Sequence, residues 1–174
     1  ATDNGPLKGG KISQFEGGIQ VPFMMKWPAK IPAGIRYKHP VSSADIFVTS
    51  LINAGGTLPR DREYDGVDLV PFVLGENNAQ PHERLFWRAE HIWALRDGDY
   101  KLILSTRDGW AELYNLRNDL SESYNLKEQM PDLYEELVRL HEQWQKDNLP
   151  EKPMWPRIMD MKLIIDGKEY LFPA

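Results

Sequence analysis

The chain has 174 residues, 41% hydrophobic and 27% charged, with a net charge of -5 and no cysteine. That length suits one domain or two small lobes with a real core, and no apolar run reaches the ~18 residues a membrane span needs. The acidic balance, without a basic stripe, argues against nucleic acid as a partner, and the lack of cysteine excludes disulfides, zinc–thiolate sites and a Cys nucleophile within these residues.

Residues 1–40 are rich in Gly and Pro, with one apolar stretch, "IQVPFMM" at 19–25. This reads as loop, then a buried strand, then a loop in which Pro28 and Pro32 stop any helix. Next, "SSADIFVTSLINAGG" predicts a helix over 42–54. Ser42 or Ser43 suits its N-terminus, Asp45 suits the positive dipole end, and Gly55-Gly56 is a stop signal. Phe47, Leu51 and Ala54 share one face, with Val48 and Ile52 beside them. Residues 57–83 read as mostly irregular, and the polar run "ENNAQPHE" suggests a lobe boundary.

From residue 84 the pattern becomes a β-meander: "RLFWR", "IWALR", "YKLIL" and "WAELYNL", with turn signals at Asp97-Gly98 and Asp108-Gly109. A helix over 131–147 follows. Pro131 fits its first position, and Leu133, Leu137, Leu140 and Trp144 form the stripe that would cover the sheet. His141 is expected at the edge of that helix. A second hairpin, around Asp166-Gly167, closes the chain. The expected lobes are residues 1–80 and 81–174.

Several stretches could carry chemistry. Gly5, Gly10 and Lys11 open a Walker A pattern, but Ile12 stands where Ser or Thr must hold Mg²⁺, so an NTP loop is rejected. Asp3 and Asn4 are hard oxygen donors suited to Ca²⁺ or Mg²⁺, too few for a site on their own. By spacing alone, Asn4-Gly5 reads first as a plain turn signal. Lys11, on a glycine-rich loop, could oppose an oxyanion or could simply be solvated. Glu16-Gly17-Gly18 reads as a tight turn beside an acid. His39, His82, His91 and His141 show no zinc spacing, and there is no G-x-S-x-G.

The ordered stretch "TDNGPLKGGKISQFEGGIQVPFMMKWPAKIPAG" decides between these readings. It resembles the sulfatase family of the alkaline-phosphatase-like superfamily, whose pattern runs D-N-G, G-K-x-x-x-x-E-G-G-x-x-V-P, W-P-x-x-I-x-x-G. The resemblance continues through "ALRDGDYKLI" and "ELYNLRNDLSESYNL", over about residues 2–145. It implies an α/β fold: the trailing part of a mixed-sheet core (1–80), then a small antiparallel four-stranded sheet packed against a C-terminal helix (81–174).

By the same resemblance, Asp3 and Asn4 would bind a divalent cation, Ca²⁺, and Lys11 a sulfate oxygen. Glu16 would shape the loop, and His91 or Arg88 could wall the pocket. The family nucleophile is a formylglycine made within C/S-x-P-x-R. No Cys exists here and no Ser is followed by x-P-x-R. The resemblance therefore implies a C-terminal sulfatase portion, inactive alone, whose formylglycine lies upstream. Its partner would be a sulfated small molecule or glycan, with self-association or pairing with the N-terminal part, and an extracytoplasmic location. The alternatives are a phosphodiesterase or phosphonate hydrolase of the same superfamily, or a non-catalytic binding module on this scaffold.

Overall fold

The computed structural model describes residues 4–148 and 159–173. The described residues form two compact units. One joins residues up to Pro22 with those from Arg84 onward; the other is Phe23–Glu83. Residues 4–22 thus pack with the sheet, although the sequence reading places them in the leading lobe with residues up to 80. Among the described residues no helix is long and apolar enough to cross a membrane.

The first unit opens with a loop and a single helical turn, α1 (Glu16–Ile19). The second unit carries α2 (Ala44–Asn53) and the short α3 (Val70–Val73). α2 starts on a reciprocal arrangement: Asp45 Oδ2 accepts from the Ser42 N–H at 2.7 Å, and Ser42 Oγ accepts from the Ala44 N–H. Asp45 Oδ1 also accepts from the Val67 N–H, and His82 Nε2 lies 2.9 Å from both carboxylate oxygens. The buried face of α2 is Asp45, Val48 and Thr49. This corrects the expected Phe47-centred face. Phe47 is exposed and stacks on Tyr64, because the loop at 66–69 packs where Asp45 and Thr49 can bond its backbone N–H groups.

In the first unit, β1 (Arg84–Ala89), β2 (Ile92–Asp97), β3 (Tyr100–Ser105) and β4 (Ala111–Asn115) form an antiparallel meander in that order. The helix α4 (Pro131–Asn148) follows, then the hairpin β5 (Asp160–Ile165) and β6 (Lys168–Pro173). The Asp166-Gly167 turn has positive φ at both positions, as a two-residue hairpin loop requires. The four-stranded sheet and its C-terminal helix match the expected architecture.

Strand alternation sends each sheet face to a different cover. Leu95, Leu102, Leu104 and Leu113 pack against Leu137 of α4. Ile92, Ala94, Ile103 and Tyr114 pack against Phe15 from the N-terminal loop and Tyr170 and Phe172 from β6. The sequence pattern points to the helix alone as the cover. Burial on both faces explains why β3 is buried from Lys101 to Ser105.

Two other expectations are corrected. The stretch 19–25 is not a strand: Ile19 ends α1, and residues 20–24 are an exposed connection, with Val21 74% and Met24 90% exposed. Pro22 lacks an N–H for a ladder, and neither sheet among the described residues offers this stretch a partner. His141 is not at the helix edge but wholly buried, stacked on Trp93 at 4.9 Å, with Nε2 against the Trp87 carbonyl. Its polar ring is tolerated because the Gln145 amide faces its other nitrogen.

Candidate active site

The loop from Asn4 to Gly18 is built on its own backbone. The Gly17 N–H donates to the Lys8 carbonyl at 2.8 Å, and the Gly18 N–H donates to the Phe15 carbonyl. Ser13 closes the middle: its N–H and hydroxyl both donate to the Gly10 carbonyl, and its hydroxyl accepts from the Gly10 N–H. These approaches explain the glycine pair. A Cβ on Gly18 would lie 2.0 Å from the Ser13 carbonyl oxygen, and one on Gly17 would lie 2.5 Å from that of Lys8. No side chain fits there without moving backbone.

Between the glycines, Ile12 has φ 89°, a left-handed conformation that a β-branched residue adopts only under strain. Its side chain packs against the Phe15–Tyr170 core cluster. Ile12 therefore faces inward while its neighbour Lys11 is exposed. Among the described residues Lys11 has no ion-pair partner.

The other two lysines at this loop differ. Lys8 Nζ donates to the Tyr114 hydroxyl at 3.0 Å and to the Glu122 carbonyl at 3.2 Å, lies 3.5 Å from Glu112, and sits over the Phe15 ring. Lys101, on β3, is fully buried and reaches Glu16 at 2.7 Å and Glu122 at 2.8 Å. The Lys101–Glu16 contact is a hydrogen bond. The Lys101–Glu122 contact is close in charge but poorly aligned, so Glu122 Oε1 has no well-formed hydrogen bond. Glu122 Oε2 accepts from the Glu16 N–H at 2.7 Å.

Electrostatics follow from this burial. Burial pushes the Glu122 carboxyl above its ordinary range, and the Lys101 charge only partly offsets it. Glu112 goes the other way. Burial would raise it, but hydrogen bonds from Lys168 and Tyr114, with the Lys8 charge and a bond from Tyr170, outweigh that and hold it low. The Tyr114 and Tyr170 phenols are raised, first by burial and then by the Glu112 carboxylate, so they remain neutral donors.

Asn4 is half-buried, and its Nδ2 donates to the Gly17 carbonyl at 2.9 Å. That bond fixes which end of the amide is the nitrogen, and leaves Oδ1 as its hard acceptor end. Asp3 lies outside the described residues. Among the described residues no group of three or more His, Cys, Asp or Glu side chains could hold a metal ion. Asn4 thus fits a cation as one oxygen ligand and does not make a site on its own.

His91 and Arg88 are not brought to this loop by their contacts. His91 is buried and faces the Leu171 carbonyl of β6 at 3.2 Å, and Arg88 Nε donates to the Glu90 carbonyl. Sequence reading missed the partners of Glu16. The available signal was Lys101, a lysine within the apolar run "YKLIL"; a buried lysine requires a charge partner.

Over 83 residues the chain is 47% identical to human steryl-sulfatase, covering 48% of this chain and 14% of that protein. It is 40% identical over 111 residues to dog N-acetylgalactosamine-6-sulfatase, covering 63% and 21%. Among solved structures, Ps i-CgsB in complex with k-i-k-neocarrahexaose superposes with a TM-score of 0.74 at 31% identity, covering 88% of this chain and 34% of that one. A structure solved with its substrate, D-glucosamine-2-N,6-O-disulfate, superposes at 0.54 with 28% identity, covering 74% and 29%. The chain therefore spans about a third or less of the length of these relatives. The family described as N-sulphoglucosamine sulphohydrolase, C-terminal, matches residues 10–148, and this chain belongs to it as the C-terminal portion of a sulfatase.

Proposed function

We propose that the chain serves a hydrolase of sulfate esters, acting on a sulfated small molecule or glycan, to which it supplies Lys11 and Asn4. The observation that carries this is the contrast between the lysines. Lys8 and Lys101 are buried against carboxylates, while Lys11 is exposed on a hydrogen-bonded glycine loop with no ion-pair partner among the described residues. Such an ammonium is preorganised to oppose charge developing on a sulfate oxygen. A relative named N-acetylgalactosamine-6-sulfatase, and a similar solved structure that holds D-glucosamine-2-N,6-O-disulfate as its substrate, support the substrate class.

Asn4, with Asp3, would ligate a divalent cation, Ca²⁺, through amide and carboxylate oxygens. When bound, such an ion supplies Lewis-acid polarisation of a sulfate oxygen. The role of this chain's own residues is narrower: the Gly17 carbonyl orients Asn4, and the loop holds Lys11 outward. The chain has neither Cys nor Ser-x-Pro-x-Arg, so the formylglycine nucleophile would come from another part of a longer protein, and the 174 residues alone would be inactive. The exposed Val21 and Met24 would then meet that part or a second copy, and the whole would act outside the cytoplasm.

The test uses the longer protein that carries this chain. Lys11→Ala should lower kcat/KM on a sulfate ester by about 10²–10³, the range for loss of one oxyanion-stabilising group. Asn4→Ala should raise the Ca²⁺ concentration needed for half-maximal activity. Unchanged kinetics in Lys11→Ala, or turnover by the 174-residue chain above its own Lys11→Ala control, would refute the reading.

A further inference from the structure

Lys11 is flanked on both sides by contacts to one distant residue. Three positions before it, Lys8 donates to the Glu122 backbone carbonyl at 3.2 Å. Five positions after it, the Glu16 N–H donates to Glu122 Oε2 at 2.7 Å. Glu122 is fully buried, has φ 54°, and lies between β4 and α4, remote in sequence from the loop. The left-handed backbone lets its carbonyl and its carboxylate serve the two flanks together. Its remaining oxygen faces Lys101 at 2.8 Å, and Lys101 in turn holds the Glu16 side chain at 2.7 Å. Lys101 belongs to β3, which is paired on both sides, so this anchor rests on an interior strand.

Resting on the reading of Lys11 as the anion-binding lysine, we propose that Glu122 is a positioning residue that clamps both flanks of the Lys11 loop to the C-terminal sheet. Two features separate a clamp from simple packing. Both carboxylate oxygens face donors, the Glu16 N–H and the Lys101 ammonium. An amide of the same shape must present its NH₂ to one of them. The strained Ile12 also needs fixed neighbours, because a left-handed β-branched residue relaxes when its surroundings loosen.

The test compares Glu122→Gln with Glu122→Ala in the intact longer protein. Amide hydrogen exchange reads the loop directly. The clamp predicts that Glu122→Gln speeds exchange of the amides at 9–18 at least tenfold, nearly as much as Glu122→Ala, while β2 and α4 keep their protection. Loop exchange unchanged in the Gln variant overturns the proposal. Where either variant fails to accumulate, Lys8→Met, which releases one flank only, should speed exchange at 8–13 more than at 16–18; equal change across the loop overturns it.

Kinetics on a sulfate ester then separate the two ideas. Glu122→Gln should lower kcat/KM at least tenfold, and Lys11→Ala should cause a smaller loss in that background than in the wild type. An equal loss in both backgrounds overturns the clamp. No effect of Lys11→Ala in the wild type instead refutes the function of Lys11, and loop exchange alone then decides whether Glu122 is a clamp.

Discussion

Lys101 and Glu16 are 85 residues apart in sequence, yet Nζ and Oε1 meet at 2.7 Å with both side chains buried. This pair joins an interior strand of the sheet to the residue that opens α1, within the glycine loop. Removing one partner of a buried ion pair leaves the other charge uncompensated. Lys101→Met should therefore destabilise the first unit by about 3–5 kcal/mol. Urea denaturation with a probe in the sheet checks this, and a loss under about 1 kcal/mol would contradict the buried-pair account.

The Glu16-Gly17-Gly18 turn makes a steric prediction. At Gly18 an added Cβ would meet the Ser13 and Gly10 carbonyl oxygens and the Ser13 hydroxyl, at 2.0–2.8 Å. Gly18→Ala should cost about 1–3 kcal/mol by overpacking, and it should move the loop. Gly17→Ala should do the same, since its Cβ would meet the Lys8 and Gly9 carbonyls. A thermal midpoint within about 2 °C of wild type, for either variant, would show that the loop yields at little cost.

The two faces of the sheet can be told apart by truncation. Phe15 is wholly buried, edge-on to Tyr170 at 5.3 Å and to Phe172 at 6.4 Å. Phe15→Ala should cost about 3–5 kcal/mol and deprotect the β5–β6 hairpin amides first. Leu137→Ala, on the other face, should cost about 2–5 kcal/mol and deprotect α4 instead. Hydrogen exchange resolved by segment reads both; the same pattern in both variants would mean that the faces are not separate packing units.

His141 predicts a pH dependence. Burial among Trp93, Phe86 and Trp144 holds its pKa below the ordinary 6.5, because the charged ring would be desolvated. A depressed histidine binds fewer protons folded than unfolded. Its contribution to stability is then complete above pH 6.5 and is lost as pH falls through the folded value. Denaturation midpoints between pH 7.5 and 5 should fall more steeply for wild type than for His141→Phe. Parallel curves would remove His141 as the cause.

Much of this molecule was legible in its sequence because the relevant interactions are local. Period-two alternation and Asp-Gly turns placed the four strands and the closing hairpin; the spacing of Leu133, Leu137 and Leu140 placed α4. The ordered D-N-G, G-K and E-G-G motifs pointed to the family that the comparisons show. What only the tertiary structure decided lies at long range. It put a second cover on the sheet, turned His141 inward, left 19–25 without a strand partner among the described residues, and brought Glu16, Lys101 and Glu122 together. Periodicity states which face of an element is apolar, but not what distant segment meets it. A buried lysine is recognisable in a strand, whereas the carboxylate that makes its burial tolerable is chosen by the fold.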